Sequence, residues 1–259
     1  MNESVNYNNK AWRKRLLIAC ATEGLVRFEW AHARYGQVIP VNWESSGFDV
    51  AYTKGYDLFN HYAVGFSIDD AYNAITGKAI ELGVEWVIIV EDDVILPPDC
   101  FLQFAEHINA KEAPVVSGLY YLKAMPTKPL VFRGRGNGAY MDFRHGDRVW
   151  CDGVPMGCLL IHASLLQYMW DNSPEYTLPN GQKQRAVFET PRKVFIDPET
   201  GSYSRQAGTQ DLYWCDRILS EGIMEKTGWT DLPDPENPFL VDTNIFCKHI
   251  DRNTGKQYP

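Results

Sequence analysis

A chain of 259 residues with 45% hydrophobic and 22% charged residues carries enough apolar material for one sizeable domain, and is neither a disordered tail nor a fibre. Its 33 acidic residues against 25 basic ones give a formal net charge of -8, which excludes a global attraction to nucleic acid or anionic membrane and leaves only local basic patches. The 13% aromatic content suits stacking or sugar-facing pockets, and equally a core rich in Tyr and Trp.

Residues 1–10 are polar, and the basic run Arg13-Lys14-Arg15 leads into an apolar stretch, residues 16–21, too short for a membrane span and without a cleavage-like segment after it. That pattern predicts a first buried strand and a cytoplasmic protein without a membrane span. The six cysteines are scattered and include no C-x-x-C pair, as expected of a reduced protein. Thr22-Glu23-Gly24 breaks the strand. Residues 28–35 read as a helix, and residues 48–53 as a second strand with the turn residue Gly55 beyond it.

From Ser67 a helix is predicted, with Ser67 and Asp70 as a loose capping box. Ile68, Ala71, Tyr72, Ile75, Ala79 and Leu82 recur at helical spacing, and Gly83 is the stop. Gly77 inside it runs against helix propensity. Trp86-Val87-Ile88-Ile89-Val90 is a continuous β-rich run, as a strand covered on both faces should be. Pro97-Pro98-Asp99 opens a helix over 101–108, and residues 114–121 form the next strand. Alternating strands and helices predict an α/β fold, a mostly parallel sheet flanked by helices in a single domain. The second half is less regular. It reads as a glycine loop at 133–138, a strand over 154–161, a helix over 163–170, a long polar excursion over 172–204, a helix over 211–222 and a last strand-like segment over 239–249.

Three segments carry candidate chemistry. Glu91-Asp92-Asp93 follows the buried strand directly. Ligands collect at the carboxyl ends of strands in open α/β sheets, and crowded carboxylates repel one another unless a cation neutralises them. Oxygen ligands suit Mg²⁺ or Mn²⁺ shared with phosphate oxygens. An extended backbone would send Glu91 and Asp93 to one side and Asp92 to the other. The second segment is Gly208-Thr209-Gln210-Asp211, where Asp211 opens a helix. It either complements the helix dipole or takes a proton from an acceptor hydroxyl. The third is His249, at the end of a late strand, either structural or a completing metal ligand.

In this order the three segments resemble the GT-A (Rossmann-like) glycosyltransferases, family-2-like members especially, over roughly residues 15–251. Ala71-Tyr72-Asn73-Ala74-Ile75 looks like the helix before the family's metal strand, Glu91-Asp92-Asp93 like its D-x-D motif, Val115-Val116-Ser117-Gly118-Leu119-Tyr120 like the strand after it. Val154-Pro155-Met156-Gly157-Cys158 is similar to the segment walling the sugar site, and Gln210-Asp211 resembles the family's E-D pair. Two positions depart: Glu91 stands where the first acid is usually Asp, and Gln210 removes one charge.

The resemblance implies transfer of a sugar from a nucleoside-diphosphate-sugar, a UDP-sugar by expectation, to an acceptor hydroxyl with inversion. It implies Mn²⁺ or Mg²⁺ on Asp93 and His249 with Glu91 or Asp92 assisting, and Asp211 as general base. Ala21, Thr22, Glu23, Asp69, Asn73, Glu91, Asp92 and Gly157 would then line the nucleotide-sugar site. It divides the chain into an extension (1–14), a nucleotide-binding half (15–125), an acceptor half (126–251) and a tail (252–259).

Arg133, Arg135, Arg144 and Arg148 form a local basic stretch that keeps an anionic acceptor open, a hydroxylated nucleic-acid base included. Two other classes stay open. A metal-dependent nucleotidyltransferase would show a Gly-rich basic loop after the first strand, where Ala21-Thr22-Glu23-Gly24 has one Gly and an acid. A non-catalytic carbohydrate-binding protein would leave the ordered acids unexplained.

Overall fold

The apolar run after the basic flank forms β1 (Lys14–Thr22) in a computed structural model that describes residues 14–45, 55–136, 138–196 and 203–259. The chain continues through α1 (Phe28–Tyr35), β2 (Trp43–Ser45), β3 (Tyr56–Val64), α2 (Ile68–Leu82), β4 (Trp86–Val90), β5 (Val94–Ile95) and α3 (Cys100–Ala110). Then come β6 (Val115–Leu119), β7 (Arg148–Cys151), β8 (Cys158–His162) and α4 (Ala163–Asn172). Four short strands follow, β9 (Glu175–Thr177), β10 (Lys183–Arg185), β11 (Arg192–Ile196) and β12 (Tyr203–Ala207). The last elements are α5 (Gln210–Ser220), α6 (Ile223–Lys226), β13 (Phe239–Phe246), β14 (Lys248–Ile250) and β15 (Gln257–Tyr258).

Eight strands form one sheet in the order β2-β3-β1-β4-β8-β6-β13-β7. The β2/β3, β1/β3, β1/β4 and β6/β13 pairs are parallel, whereas β8 and β7 run against their neighbours. The order reverses beside β1: the chain moves outward to β3 on one flank and returns to β4 on the other. That reversal opens a crevice at the carboxyl ends of β1 and β4, the place where a Rossmann-like sheet takes its ligands.

Strand alternation divides the core into two layers. Leu17, Ala19, Val87 and Ile89 pack with Tyr72 and Ile75 of α2, Leu165 of α4, Trp214 of α5 and Ile223 of α6. Leu16, Ile18, Trp86, Ile88 and Val90 pack on the other face with Trp30 of α1 and Phe101 and Phe104 of α3. Each fully buried aliphatic side chain contributes about 1.5–3 kcal/mol, so the central strands stabilise the sheet through both faces. Among the described residues no helix is long and apolar enough to cross a membrane.

Several expectations need correction. The strand expected over 48–53 lies outside the described residues; β1's neighbour is β3, whose Asp57, Asn60 and His61 interrupt the apolar pattern and hide it. The expected capping box is a side-chain cluster instead: the Ser67 hydroxyl lies 2.6 Å from Asp69 and 2.7 Å from Asp70, sharing its one proton between the two carboxylates, and it caps no backbone N–H of the helix. Gly77 is tolerated in α2 because the Trp170 ring of α4 sits 2.9 Å from where a Cβ would lie. The polar excursion holds two hairpins, β9/β10 and β11/β12.

The strands of residues 15–125 and 126–251 interleave in one sheet: β8 lies between β4 and β6, and β13 between β6 and β7. In the tail, 252–259, Gln257–Tyr258 pairs with β14, and β14 pairs with β5 in a separate three-stranded ribbon.

Candidate functional site

The acidic triplet leaves β4 on a turn rather than an extended run. Val94 N donates to Glu91 O at 3.1 Å, so the three side chains fan out in different directions. Glu91 turns to α2, where Tyr72 Oη donates to Oε1 at 2.7 Å, and its backbone is held by Trp30 Nε1 at 2.7 Å and by Gly157 O at 2.9 Å. Asp92 is buried and ion-paired with Arg252. Asp93 is ion-paired through Oδ2 with Lys123, while its Oδ1 is buried with no hydrogen-bond partner.

The ribbon of β5, β14 and β15 brings His249 to this turn. His249 pairs in register with Val94, and Ile250 N donates to Asp93 O at 2.8 Å. His249 Nδ1 lies 2.6 Å from Tyr121 O, so that nitrogen carries the proton and donates. The other nitrogen, Nε2, then presents a lone pair, 4.0 Å from Asp93 Oδ1. Tyr120 packs edge-on against the ring at 4.8 Å and fixes its plane. Burial pushes the imidazole below its usual pKa, outweighing the pull of Asp93 and the Tyr121 carbonyl.

A cavity of about 500 Å³ opens over this cluster, and its lining includes Glu91, Tyr120, Met156, Gln210, Asp211 and His249. Asp211 stands in the first turn of α5 with Oδ1 accepting from Leu212 N at 2.8 Å. Burial raises its pKa above the ordinary carboxylate value, against the opposing hydrogen bonds of Thr209 and Leu212. Burial, then the charge of Asp93, pushes Glu91 up to about 7, against the Tyr72 hydrogen bond. The cavity therefore pairs two carboxylates of raised proton affinity, Glu91 and Asp211, with an imidazole kept neutral by burial.

Of the other sequence-derived candidates, Thr22 and Glu23 border Asp92, the Thr22 hydroxyl opposing the burial that raises the Asp92 carboxyl. Ala21 is buried in the α2-side core. Asn73 is committed elsewhere: its amide nitrogen donates to Phe188 O and Tyr176 Oη, each at 3.0 Å, and its Oδ1 accepts from Phe188 N at 2.8 Å. Asp69 and Asn73 line a different cavity, beside Tyr176 and Glu189. Gly157 is buried rather than exposed to the cleft. A Cβ there would meet Tyr120 Oη and Val94 Cγ2, each at 2.6 Å, so its role is to let Tyr120 approach.

The basic stretch is largely neutralised. Arg133 pairs with Asp234 at 3.1 Å, Arg135 faces Asp216 at 4.0 Å, and Arg148 pairs with Glu112 at 2.6 Å. Asp152 Oδ2 accepts from Gly134 N and Arg135 N, pinning the glycine loop.

Similarity to known proteins lies in the fold. No protein-family model matches the chain, and no curated protein does. The chain is similar in fold to A197 from STIV. The two superpose with a TM-score of 0.50 over 94% of this chain and 93% of that one, at 13% sequence identity. A match at that identity speaks to the A197-like architecture alone: a mixed α/β domain with a large sheet flanked by helices.

No group of three or more His, Cys, Asp or Glu among the described residues is arranged to hold a metal ion by itself. What the site offers a cation is a pair, one unpartnered carboxylate oxygen and one imidazole lone pair facing each other. Two acceptors directed at each other with no donor between them fit a divalent ion whose remaining ligands are oxygens of a bound substrate and water. Lys123, Arg252, Tyr72 and Tyr120 complete the cluster, and none was singled out from the sequence. Arg252 lies only three residues past His249, which was the available signal. Lys123 had none, because only the pairing of β14 with β5 and the path of the chain after β6 bring it to Asp93.

Proposed function

We propose that this chain transfers a sugar from a nucleoside-diphosphate-sugar to an acceptor hydroxyl, as the GT-A glycosyltransferases do. The observation that carries the reading is the facing pair of Asp93 Oδ1 and His249 Nε2 at 4.0 Å, both acceptors, the histidine lining a cavity that also holds Asp211. Asp93 and His249 would hold Mn²⁺ or Mg²⁺, which when bound supplies positive charge to the diphosphate as it departs.

The remaining steps fall to the chain. Thr22 and Glu23 follow the end of β1, beside the end of β4, the place for the nucleotide, with the buried Asp92 beneath them. Glu91, held by Tyr72, is directed to hydroxyls of the donor rather than to the cation. Asp211 accepts the proton of the acceptor hydroxyl as its oxygen bonds to the anomeric carbon, and the bond to the diphosphate oxygen breaks with its electrons leaving on that oxygen. One carboxylate opposite the leaving group makes the displacement direct and inverting. Leu212 forms a common wall between this cavity and a second one of about 380 Å³ lined by Arg135, Asp152 and Asp216, a place for the acceptor beside Asp211.

Calorimetry with UDP, GDP, ADP and CDP, each with Mn²⁺ and with EDTA, tests the reading. One nucleoside diphosphate should bind in the micromolar range with Mn²⁺ and release its monosaccharide from the matching nucleotide-sugar. Absence of binding by all four with Mn²⁺ present would overturn it.

A further inference from the structure

Lys123 occupies an unusual position for a cation in a cation-binding site. Its ammonium pairs with Oδ2 of Asp93, the same carboxylate whose Oδ1 faces His249. The side chain is 29% exposed, against 13% for Asp93, so the ammonium is the more accessible member of the pair. Lys123 projects from a narrow loop closed by Leu122 N donating to Lys128 O at 2.9 Å, and Lys128 also lines the cavity.

Arg252 differs. It pairs with Asp92, whose side chain is fully buried, and its turn is tied down by Asp251 accepting from Asn253 N and Thr254 N. Its Nε also lies 3.9 Å from Asp93 Oδ2. One basic side chain is therefore anchored on a buried acid, and the other rests on the acid that a divalent ion would need.

Resting on the glycosyl-transfer reading, we infer that Lys123 is an exchangeable diphosphate clamp. In the free protein it neutralises Asp93. When a divalent ion and a nucleoside diphosphate enter together, like-charge repulsion drives the ammonium off Asp93 and onto the diphosphate, the one new anion within its reach. Arg252 remains on Asp92 throughout. The exchange lets the free protein keep its acids neutralised without a metal, and it links cation entry to the nucleotide.

Two opposite shifts follow from removing this one side chain. In Lys123→Met the cation no longer competes with an ammonium for Asp93, so Mn²⁺ alone binds about tenfold more tightly than to the unaltered protein. The same variant loses a charge-assisted contact, so the nucleoside diphosphate with Mn²⁺ binds about tenfold more weakly. Lys123→Arg restores the second affinity. Mn²⁺ binding is read by the loss of the free-ion electron paramagnetic resonance signal, nucleotide binding by calorimetry, and folding by the melting temperature. If the unaltered protein binds a nucleoside diphosphate with Mn²⁺ but both affinities in Lys123→Met move in the same direction or stay fixed, the clamp is wrong and the transferase reading stands. If none of the four nucleoside diphosphates binds with Mn²⁺, both fall together.

Discussion

His249 Nε2 and Asp93 Oδ1 face each other at 4.0 Å with no proton to share, because His249 gives its one imidazole N–H to the Tyr121 carbonyl. Lys123 balances the charge of Asp93 through Oδ2, but Oδ1 is left buried without a hydrogen bond, which costs free energy unless a cation or a ligand takes it up. The arrangement rests on the pairing of β14 with β5, so the site depends on a backbone ladder rather than on neighbouring residues in sequence.

His249→Ala removes one of two chain ligands and should weaken Mn²⁺-dependent binding of the nucleoside diphosphate by about tenfold or more. Asp93→Asn should abolish the Mn²⁺ dependence. Titration calorimetry measures both, and unchanged affinity in His249→Ala would remove the histidine from the site.

Asp211→Asn preserves the shape of the α5 first turn and removes the proton acceptor. Transfer should fall by about 10²–10⁴-fold, with nucleoside diphosphate affinity retained. Steady-state turnover compared with calorimetry separates the two, and full turnover in the variant would assign the base elsewhere, with Glu91 next in line.

Asn73→Ala tests the reassignment of that residue to structure. It strands the Phe188 N–H and carbonyl in the core and should destabilise the protein by about 1–3 kcal/mol. Nucleotide affinity should be unaffected. A chemical melt and a binding curve on the same sample check both.

Gly157→Ala drives a methyl group into Tyr120 Oη and Val94, each 2.6 Å from it. Overpacking of this kind costs about 1–3 kcal/mol. Because Tyr120 also holds the His249 ring, the variant should lose Mn²⁺ affinity along with stability. Gly77→Ala in α2, which collides with Trp170 far from the triplet in sequence, should cost stability alone.

Acid sensitivity should come in two separate windows. Burial lowers the His162 pKa from 6.5 to about 4, and its Nδ1 accepts from Ser164 N at the start of α4, which needs the neutral ring. The unfolded chain binds this proton first, so stability contributed by His162 is intact above pH 6.5 and is lost as pH falls toward about 4. Glu85 behaves as a paired carboxylate. Burial alone would raise it, but hydrogen bonds from Lys111, Lys14 and Tyr56 bring it to about 2. Its contribution is present above pH 4.5 and disappears as pH falls through about 2. Denaturant melts across pH should lose the upper window in His162→Gln and the lower one in Glu85→Gln, each worth about 1–3 kcal/mol.

Contiguous signals were legible in the sequence. β4 is an unbroken apolar strand, and the acids after it fall at the crevice that strand order creates. α2 followed from its spacing and its stop at Gly83, whereas α5 ends at Ser220, before the expected stop, because Gly222 opens α6. What stayed hidden was non-local. Asn73 sits in a segment resembling a nucleotide-binding helix, yet its amide is spent on the Phe188 backbone, which only the folded packing of the 173–190 region reveals. β3 was missed because Asp57, Asn60 and His61 broke its apolar pattern. Lys123 and Arg252 have no local pattern at all, since a cation beside an acid is set by which loops the sheet brings together.

The interleaved strand order also governs how the molecule can assemble. β8 must slot between β4 and β6, and β13 between β6 and β7, before the sheet is continuous. Contacts this distant along the chain pay loop-closure entropy early, which predicts slow folding. A half-folded species containing only β1 to β4 would display its acidic turn without Lys123, His249 or Arg252. Recovery of nucleotide affinity after dilution from denaturant should accordingly lag behind recovery of helical signal, and reports on closure of the whole sheet.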